Sequence, residues 1–242
     1  MSHPRRVIVK LSGERLCGRS KEGFSPFDAD ALGLVVDELA DLRGAGIETA
    51  VVCGAGNLLR GGRGCVFADR VLADSAGMLA TVINALALCD ALRGAGVPAR
   101  AYSAVPVPTL APQYRAVEAR RDLVEGRLVI VGGGTGAPFV TTDTASALRA
   151  RELEADCILK ATQVDGVYSA DPRRDPSAER FERLSYDEVL TRRLGVMDLG
   201  AVELCRGGGV EIRVFDAGVA GGALRALTEP GFATIIGPPD TD

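Results

Sequence analysis

An α/β fold, with a mainly parallel central sheet covered by helices on both faces, is predicted by two features of this sequence. Short β-branched runs alternate with helical patterns along the chain, and nearly every residue in those runs is apolar, as strands buried on both faces require. The first strand is RVIVKL (6–11). An amphipathic helix follows, with Asp28 as N-cap, Leu32, Val35, Val36, Leu39 and Leu42 on one face, and Gly44 as its stop. Next come the strand IETAVVC (47–53), a long helix over 70–93 running to Gly94, and the strands VPARAYS (97–103) and RLVIVG (127–132). A helix over 144–153 precedes the strand DCILKA (156–161). Helices at 185–194 and 197–206, the strand EIRVFD (211–216), a helix at 220–228 and the strand FATIIG (232–237) complete the alternation. No internal repeat or low-complexity linker interrupts it, so residues 1–242 are expected to form a single domain.

Composition narrows the function. No run of 18 apolar residues occurs and the N-terminus lacks a cleavable leader, so neither a membrane span nor secretion is expected, and the location read is cytoplasmic. Six cysteines are scattered without a CxxC pair, which reads as reduced thiols and no protein-held metal. A net charge of −4 argues against nucleic acid polymers as partners. His3 is the only histidine, which removes histidine acid/base and triad chemistry. Lysines number three among 28 cationic residues, so Lys10 and Lys160, each at the end of an apolar run, stand out; Lys21 lies in a polar loop.

In parallel sheets of this kind ligands bind at the carboxyl ends of the strands. Three loops there are rich in glycine: KLSGE after the first strand, CGAGNLLRGG (53–62) and VGGGTGAPFVTTD (131–143). Glycine lets backbone N–H groups approach an anion closely, and one such turn alone equally reads as a tight strand-to-helix turn. Three together, with Lys10, Arg60 and Thr141-Thr142-Asp143 beside them, match two neighbouring phosphate groups. GxxxxGK[ST] is absent. Gly132-x-Gly134-x-x-Ala137 fits a loose dinucleotide fingerprint, with Glu152 or Glu154 at the distance of a ribose contact. Pro138 and Val140 oppose it, because they keep a helix from starting until after Thr142-Asp143. LKATQVDGVYSADPR (159–173) carries Lys160, Asp165 and Asp171 around two turns and reads as either a surface hairpin or an ATP-side lobe. Asp198 is a helix cap or a site residue, and Asp74 a solvated helix residue or a site residue. Lysines, arginine, backbone amides and Mg²⁺ suffice for phosphoryl transfer, and an acceptor already ionised needs no general base.

The motifs KLSGE, CGAGNLLRG, AGMLATVINALAL, GGTGAPFVTTD, LKATQVDGVYSADP, LSYDEVL and VMDLGA, in this order, resemble the bacterial UMP kinases of the amino acid kinase superfamily over almost the full length. The resemblance implies a three-layer αβα sandwich of the amino acid kinase fold. It also implies a homohexamer, Mg²⁺ arriving with ATP, UMP as acceptor in pyrimidine biosynthesis, and regulation by GTP and UTP through a segment like KEGFS (21–25). Carried over, Lys10, Leu11, Ser12, Gly13, Gly56 and Arg60 hold ATP phosphates, and Thr162, Gln163, Tyr168 and Asp171 line the adenosine site. Ala55, Asp74, Thr135, Gly136, Ala137, Pro138, Phe139, Val140, Thr141 and Thr142 surround UMP. Lys10, Lys160, Asp143, Arg60 and Asp198 make up the catalytic group. Acceptor-side loops then fall mainly within 1–150 and the ATP-side lobe within 151–242.

Departures from the family pattern fall mostly on the acceptor side: Ala55 for a glycine, Ala137 for an asparagine, Val140 for a phenylalanine, and Gly200 and Glu203 after Asp198. A different phosphate, phosphonate or carboxylate acceptor is therefore an alternative expectation, as is a non-catalytic nucleotide- or oxyanion-binding protein. VFDAGVAGGALRA also differs from the family's usual turn.

Overall fold

A computed structural model describes residues 4–20, 23–59 and 67–238. In chain order the elements begin with β1 (Arg6–Leu11), a 3-10 helix (Gly13–Leu16), the hairpin β2 (Gly18–Ser20) and β3 (Gly23–Ser25), and α1 (Ala29–Gly44). β4 (Glu48–Cys53), α2 (Arg70–Gly94), β5 (Ala99–Ser103), α3 (Ala116–Val124) and β6 (Leu128–Gly132) follow. Then come α4 (Thr142–Glu152), β7 (Cys157–Thr162), the short strands β8 (Val167–Tyr168), β9 (Arg180–Phe181) and β10 (Arg183–Ser185), and α5 (Tyr186–Arg192). The chain closes with α6 (Leu199–Arg206), β11 (Glu211–Asp216), α7 (Gly222–Thr228) and β12 (Thr234–Gly237).

Eight strands form one sheet in the order β10-β12-β11-β7-β1-β4-β6-β5. Every pairing is parallel except β11 with β12, so six strands run together and β10 and β12 run against them. Period-two alternation divides the core into two layers. Val7, Val9 and Leu11 join Val35, Leu39, Leu88 and Ala223 on the α1/α2/α7 side, whereas Ile8, Ala50 and Val52 join Ala119, Ala147 and Val202 on the α3-to-α6 side. This is the predicted three-layer α/β sandwich.

Local chemistry accounts for the helix starts. Asp28 accepts the Ala31 N–H at 3.0 Å, as expected from the sequence. Asp69 accepts from Val71 and Leu72 at the start of α2, and Ser185 with Glu188 forms a capping box on α5. Two expectations need correction. α4 begins at Thr142 rather than after Asp143, because Thr141 caps it by accepting from the Asp143 and Thr144 N–H groups. α3 is absent from the sequence reading: Val117 and Val124 face outward, 71% and 64% exposed, while Asp122 is buried, so no apolar stripe marks the helix. α2 is long and apolar enough to cross a membrane by length and composition, although no uninterrupted apolar run marks it. Its inner face packs on β4, β5 and β6, where Ala85, Leu88 and Leu92 are buried.

Candidate active site

Strand parity positions the central charges. Lys10 stands directly opposite Lys160 in the parallel pairing of β1 with β7. Ile8 and Ile158, two residues earlier on each strand, face the α3-to-α6 layer, so both lysines emerge on the side where α4 lies. Like charges side by side on neighbouring strands repel, and α4 supplies the remedy at its N-terminus. Asp143 accepts from Lys160 Nζ at 2.7 Å through Oδ2, and Lys10 Nζ lies 3.2 Å from Oδ1, at ion-pair distance but without hydrogen-bond alignment. Lys160 also donates to the Val196 carbonyl. Burial pushes the Lys160 ammonium below its usual pKa, Asp143 opposes that shift, and the Lys10 charge adds to it.

A second polar knot joins two helix N-termini. Asp198 caps α6 through the Ala201 N–H at 2.8 Å and accepts from the hydroxyls of Thr141 and Thr144 on α4. Asp198 is thus a helix cap that is also linked to the lysines, through the first turn of α4 rather than by direct contact. Ser12 and Gly13 open the 3-10 helix, and a Cβ on Gly13 would lie 2.4 Å from Asn57 Oδ1 and 2.8 Å from the Gly54 carbonyl. The first glycine loop therefore packs backbone to backbone on the second. A Cβ on Gly56 would meet Glu14 at 3.0 Å. Arg60 lies outside the described residues.

Two clefts flank this centre. One, about 730 Å³, is lined by Ala55, Asp74, Thr135, Ala137, Val140, Thr141 and Thr142 among others. Its loop is anchored to α2 twice: Thr81 Oγ1 accepts the Gly133 N–H at 2.7 Å, and Asp74 accepts the Phe139 N–H at 2.8 Å. That backbone contact, with Arg70 beside it, holds the Asp74 carboxyl below its ordinary pKa. Gly136, Pro138 and Phe139, expected around the acceptor, are not among the lining residues. Phe139 is 67% exposed with φ +65°, its ring under the Arg70 guanidinium, so it shapes the loop from outside. Phe67, Arg70 and Met78 line this cleft and were not anticipated, since on α2 and its approach they carry no signal beyond apolar or solvated helix residues.

The other cleft, about 570 Å³, is lined by Lys160, Thr162, Tyr168 and Asp171, as expected from the LKATQVDGVYSADP segment. β8 pairs with β9, so the segment is a hairpin with a long tip and also one wall of the cleft. Gln163 turns away, accepting from Arg173. Leu11 is buried in the α1/α2 layer, which leaves only its backbone near the site. The opposite wall, Arg192 to Val196, was missed; VMDLGA pointed at its edge, and the link is the Val196 carbonyl that holds Lys160. The rival dinucleotide reading fails on geometry: no helix starts until Thr142, Glu152 binds Arg149, and Glu154 pairs with Arg120.

A parallel α/β sandwich with paired lysines and glycine turns between two clefts, one lined by Lys160 and the other by Thr142 beside Asp143, defines a class of protein that brings two anionic ligands together. The profile of the Amino acid kinase family matches residues 5–216. The chain belongs to that family. It is 47% identical over 233 residues to a uridylate kinase of Ectopseudomonas mendocina, covering 96% of this chain and 93% of that protein. Identity is 46% to a uridylate kinase of Pseudomonas aeruginosa, at 96% and 94% coverage. Among solved structures, the UMP kinase from Bacillus anthracis superposes with a TM-score of 0.91 at 35% identity, over 99% of this chain and 98% of that one. The UMP kinase from Ureaplasma parvum gives 0.88 at 31%, over 98% and 100%.

Proposed function

We propose that this chain transfers the γ-phosphoryl group of ATP to UMP, giving UDP and ADP, as a step of pyrimidine nucleotide biosynthesis. The observation that carries the reading is the Lys10–Asp143–Lys160 bridge, with Lys160 lining one cleft and Thr142, next to Asp143, lining the other. Relatives bearing the name uridylate kinase over nearly the whole chain supply the acceptor.

In this reading the adenosine of ATP occupies the cleft walled by Thr162, Tyr168 and Asp171, with its phosphates over Lys10, Ser12, Gly13 and Gly56. UMP occupies the cleft lined by Ala55, Asp74, Thr135, Ala137 and Val140 to Thr142. The acceptor phosphate is already an oxyanion, so attack needs alignment and charge neutralisation rather than a base. Asp143 fixes the two ammonium groups before substrate arrives, and Lys10 then follows the charge that develops on the transferring group. Among the described residues no group of three His, Cys, Asp or Glu side chains could hold a metal, and Asp143 is engaged by both lysines. This environment fits Mg²⁺ carried on the triphosphate rather than held by the protein, where the ion would supply neutralisation of phosphate charge beside Lys10.

We further propose a single functional unit over 1–242, acting in the cytoplasm as a homohexamer regulated by GTP and UTP. Unbridged Cys17, Cys53, Cys89, Cys157 and Cys205 are consistent with a reducing compartment. Exposed apolar residues on α2, including Leu72, Leu79 and Ile83, supply a face for self-association. Lys21 and Glu22 of the KEGFS segment lie outside the described residues.

The test is ADP formation with each nucleoside monophosphate in turn. UMP is expected to turn over well above a no-acceptor blank and above CMP, AMP and GMP. Lys10→Ala is expected to cut kcat by on the order of 1,000-fold while keeping a cooperative melt. Turnover with UMP no higher than the blank, in protein that melts cooperatively, would remove this function.

A further inference from the structure

Beneath the first two glycine loops lies a closed pair of amides that no chemistry described so far uses. Asn57 is 5% exposed and Asn84, in the middle of α2, is fully buried. Asn57 Nδ2 donates to Asn84 Oδ1 at 3.0 Å, and Asn84 Nδ2 donates back to Asn57 Oδ1 at 2.7 Å. The remaining N–H of each amide goes to backbone: Asn57 to the Pro26 carbonyl at 2.8 Å, Asn84 to the Gly54 carbonyl at 2.6 Å. All four donors are thereby used. Gly54 is held on its other side too, since its N–H donates to the Leu11 carbonyl at 2.8 Å, at the end of the strand bearing Lys10.

This position is costly for amides. Ala85 and Leu88, the next core residues on α2, pack apolar surface, and an aliphatic side chain at 84 would do the same without needing partners. A fully satisfied buried network confers a unique arrangement. Here the arrangement is the separation of two loops: Asn57 Oδ1 lies so close under Gly13 that a Cβ there would approach to 2.4 Å. From the paired amides, their short backbone bonds and this contact, we infer that Asn84 and Asn57 are positioning residues. They fix the 54–57 turn against Ser12-Gly13, so that both loops present their N–H groups to one phosphate chain. Through Pro26 the pair also pins the segment that leads from the β2–β3 hairpin into α1.

The inference rests on the proposed assignment of these loops to substrate phosphates, and its test separates the two. Asn84→Leu keeps the branched shape and the number of side-chain heavy atoms and favours the helix, while removing both donors. Leu88→Ala, one turn along the same helix, serves as a variant that loses core packing alone. kcat and KM for ATP and UMP are measured on each, beside its melting temperature. Asn84→Leu is expected to lower kcat by on the order of 100-fold, the effect of misplacing a reacting group by about 1 Å, with KM changed far less. Leu88→Ala is expected to melt earlier with kcat preserved. Equal kcat values for Asn84→Leu and Leu88→Ala, with Lys10→Ala inactive, would overturn the positioning role and leave the site intact. Lys10→Ala with wild-type turnover would overturn both. Should Asn84→Leu not melt cooperatively, Asn84→Ser, which keeps a hydroxyl donor, is read against Leu88→Ala by the same criterion.

Discussion

Cys53 and Cys157 are buried on the central strands β4 and β7, and burial pushes both thiols up to about 12; Cys205, inside the α5/α6 layer, is raised to about 12 as well. In the unfolded chain these groups ionise near 9, so above that pH the unfolded state binds fewer protons than the native one, and stability falls as pH rises. Three such thiols give a slope of roughly 4 kcal/mol per pH unit once the unfolded forms are ionised. Lys160, with its pKa lowered, works in the opposite sense between its folded value and the usual lysine range, but it is a single group. The expected outcome is a melting temperature that declines steeply from pH 9 to about 10.5; a flat profile would mean that the thiols reach solvent in the native state. The cysteines were legible as reduced thiols because no CxxC pair accompanied them. Lys10 and Lys160 were legible because lysine is scarce here and both end apolar runs. Asn84 was not, since one amide in an apolar helix carries no mark of the loop it supports.

At the scale of elements, Gly132 decides how closely β6 approaches α2. A Cβ there would lie 2.6 Å from Val82 Cα and 2.8 Å from the Thr81 carbonyl, both backbone atoms of the helix. Gly132→Ala is expected to force strand and helix apart and to cost about 2 kcal/mol, read as a lower urea midpoint at unchanged slope. An unchanged midpoint would show that the two backbones can separate freely. Because Thr81 also binds the Gly133 N–H, the same shift is expected to raise KM for the acceptor more than for ATP. The seven main strands and the capped helices were readable from the sequence, through β-branched runs and through Asp28, where the cap and the first buried face agree. α3 was not, because Val117 and Val124 face outward while Asp122 is buried beside Leu123, and its cap residue, Arg115, makes no side-chain capping bond. The β8–β9 pairing was half readable: Asp-Gly and Asp-Pro announced turns, but a partner strand twelve residues on left no pattern of its own.

For the whole molecule, the outer face of α2 departs from a surface made for water. Leu72, Leu79 and Ile83 are 60%, 50% and 50% exposed along one helix. Ile83→Lys is expected to lower the mass found by light scattering without lowering the melting temperature of the protomer; an unchanged mass would place the association surface elsewhere. The sequence pointed to ligand sites at strand ends, but the charged centre depends on side chains far apart in the chain, Lys10, Asp143 and Lys160, meeting only after folding. That meeting has a consequence for how the chain tolerates length changes. Lys10 and Lys160 point to the same layer only while β1 and β7 keep their present register. Deleting one residue upstream in either strand would turn its lysine toward the opposite helices. β1 and β7 are therefore held to a fixed residue count twice over, by the core packed on both of their faces and by the side on which their lysines emerge.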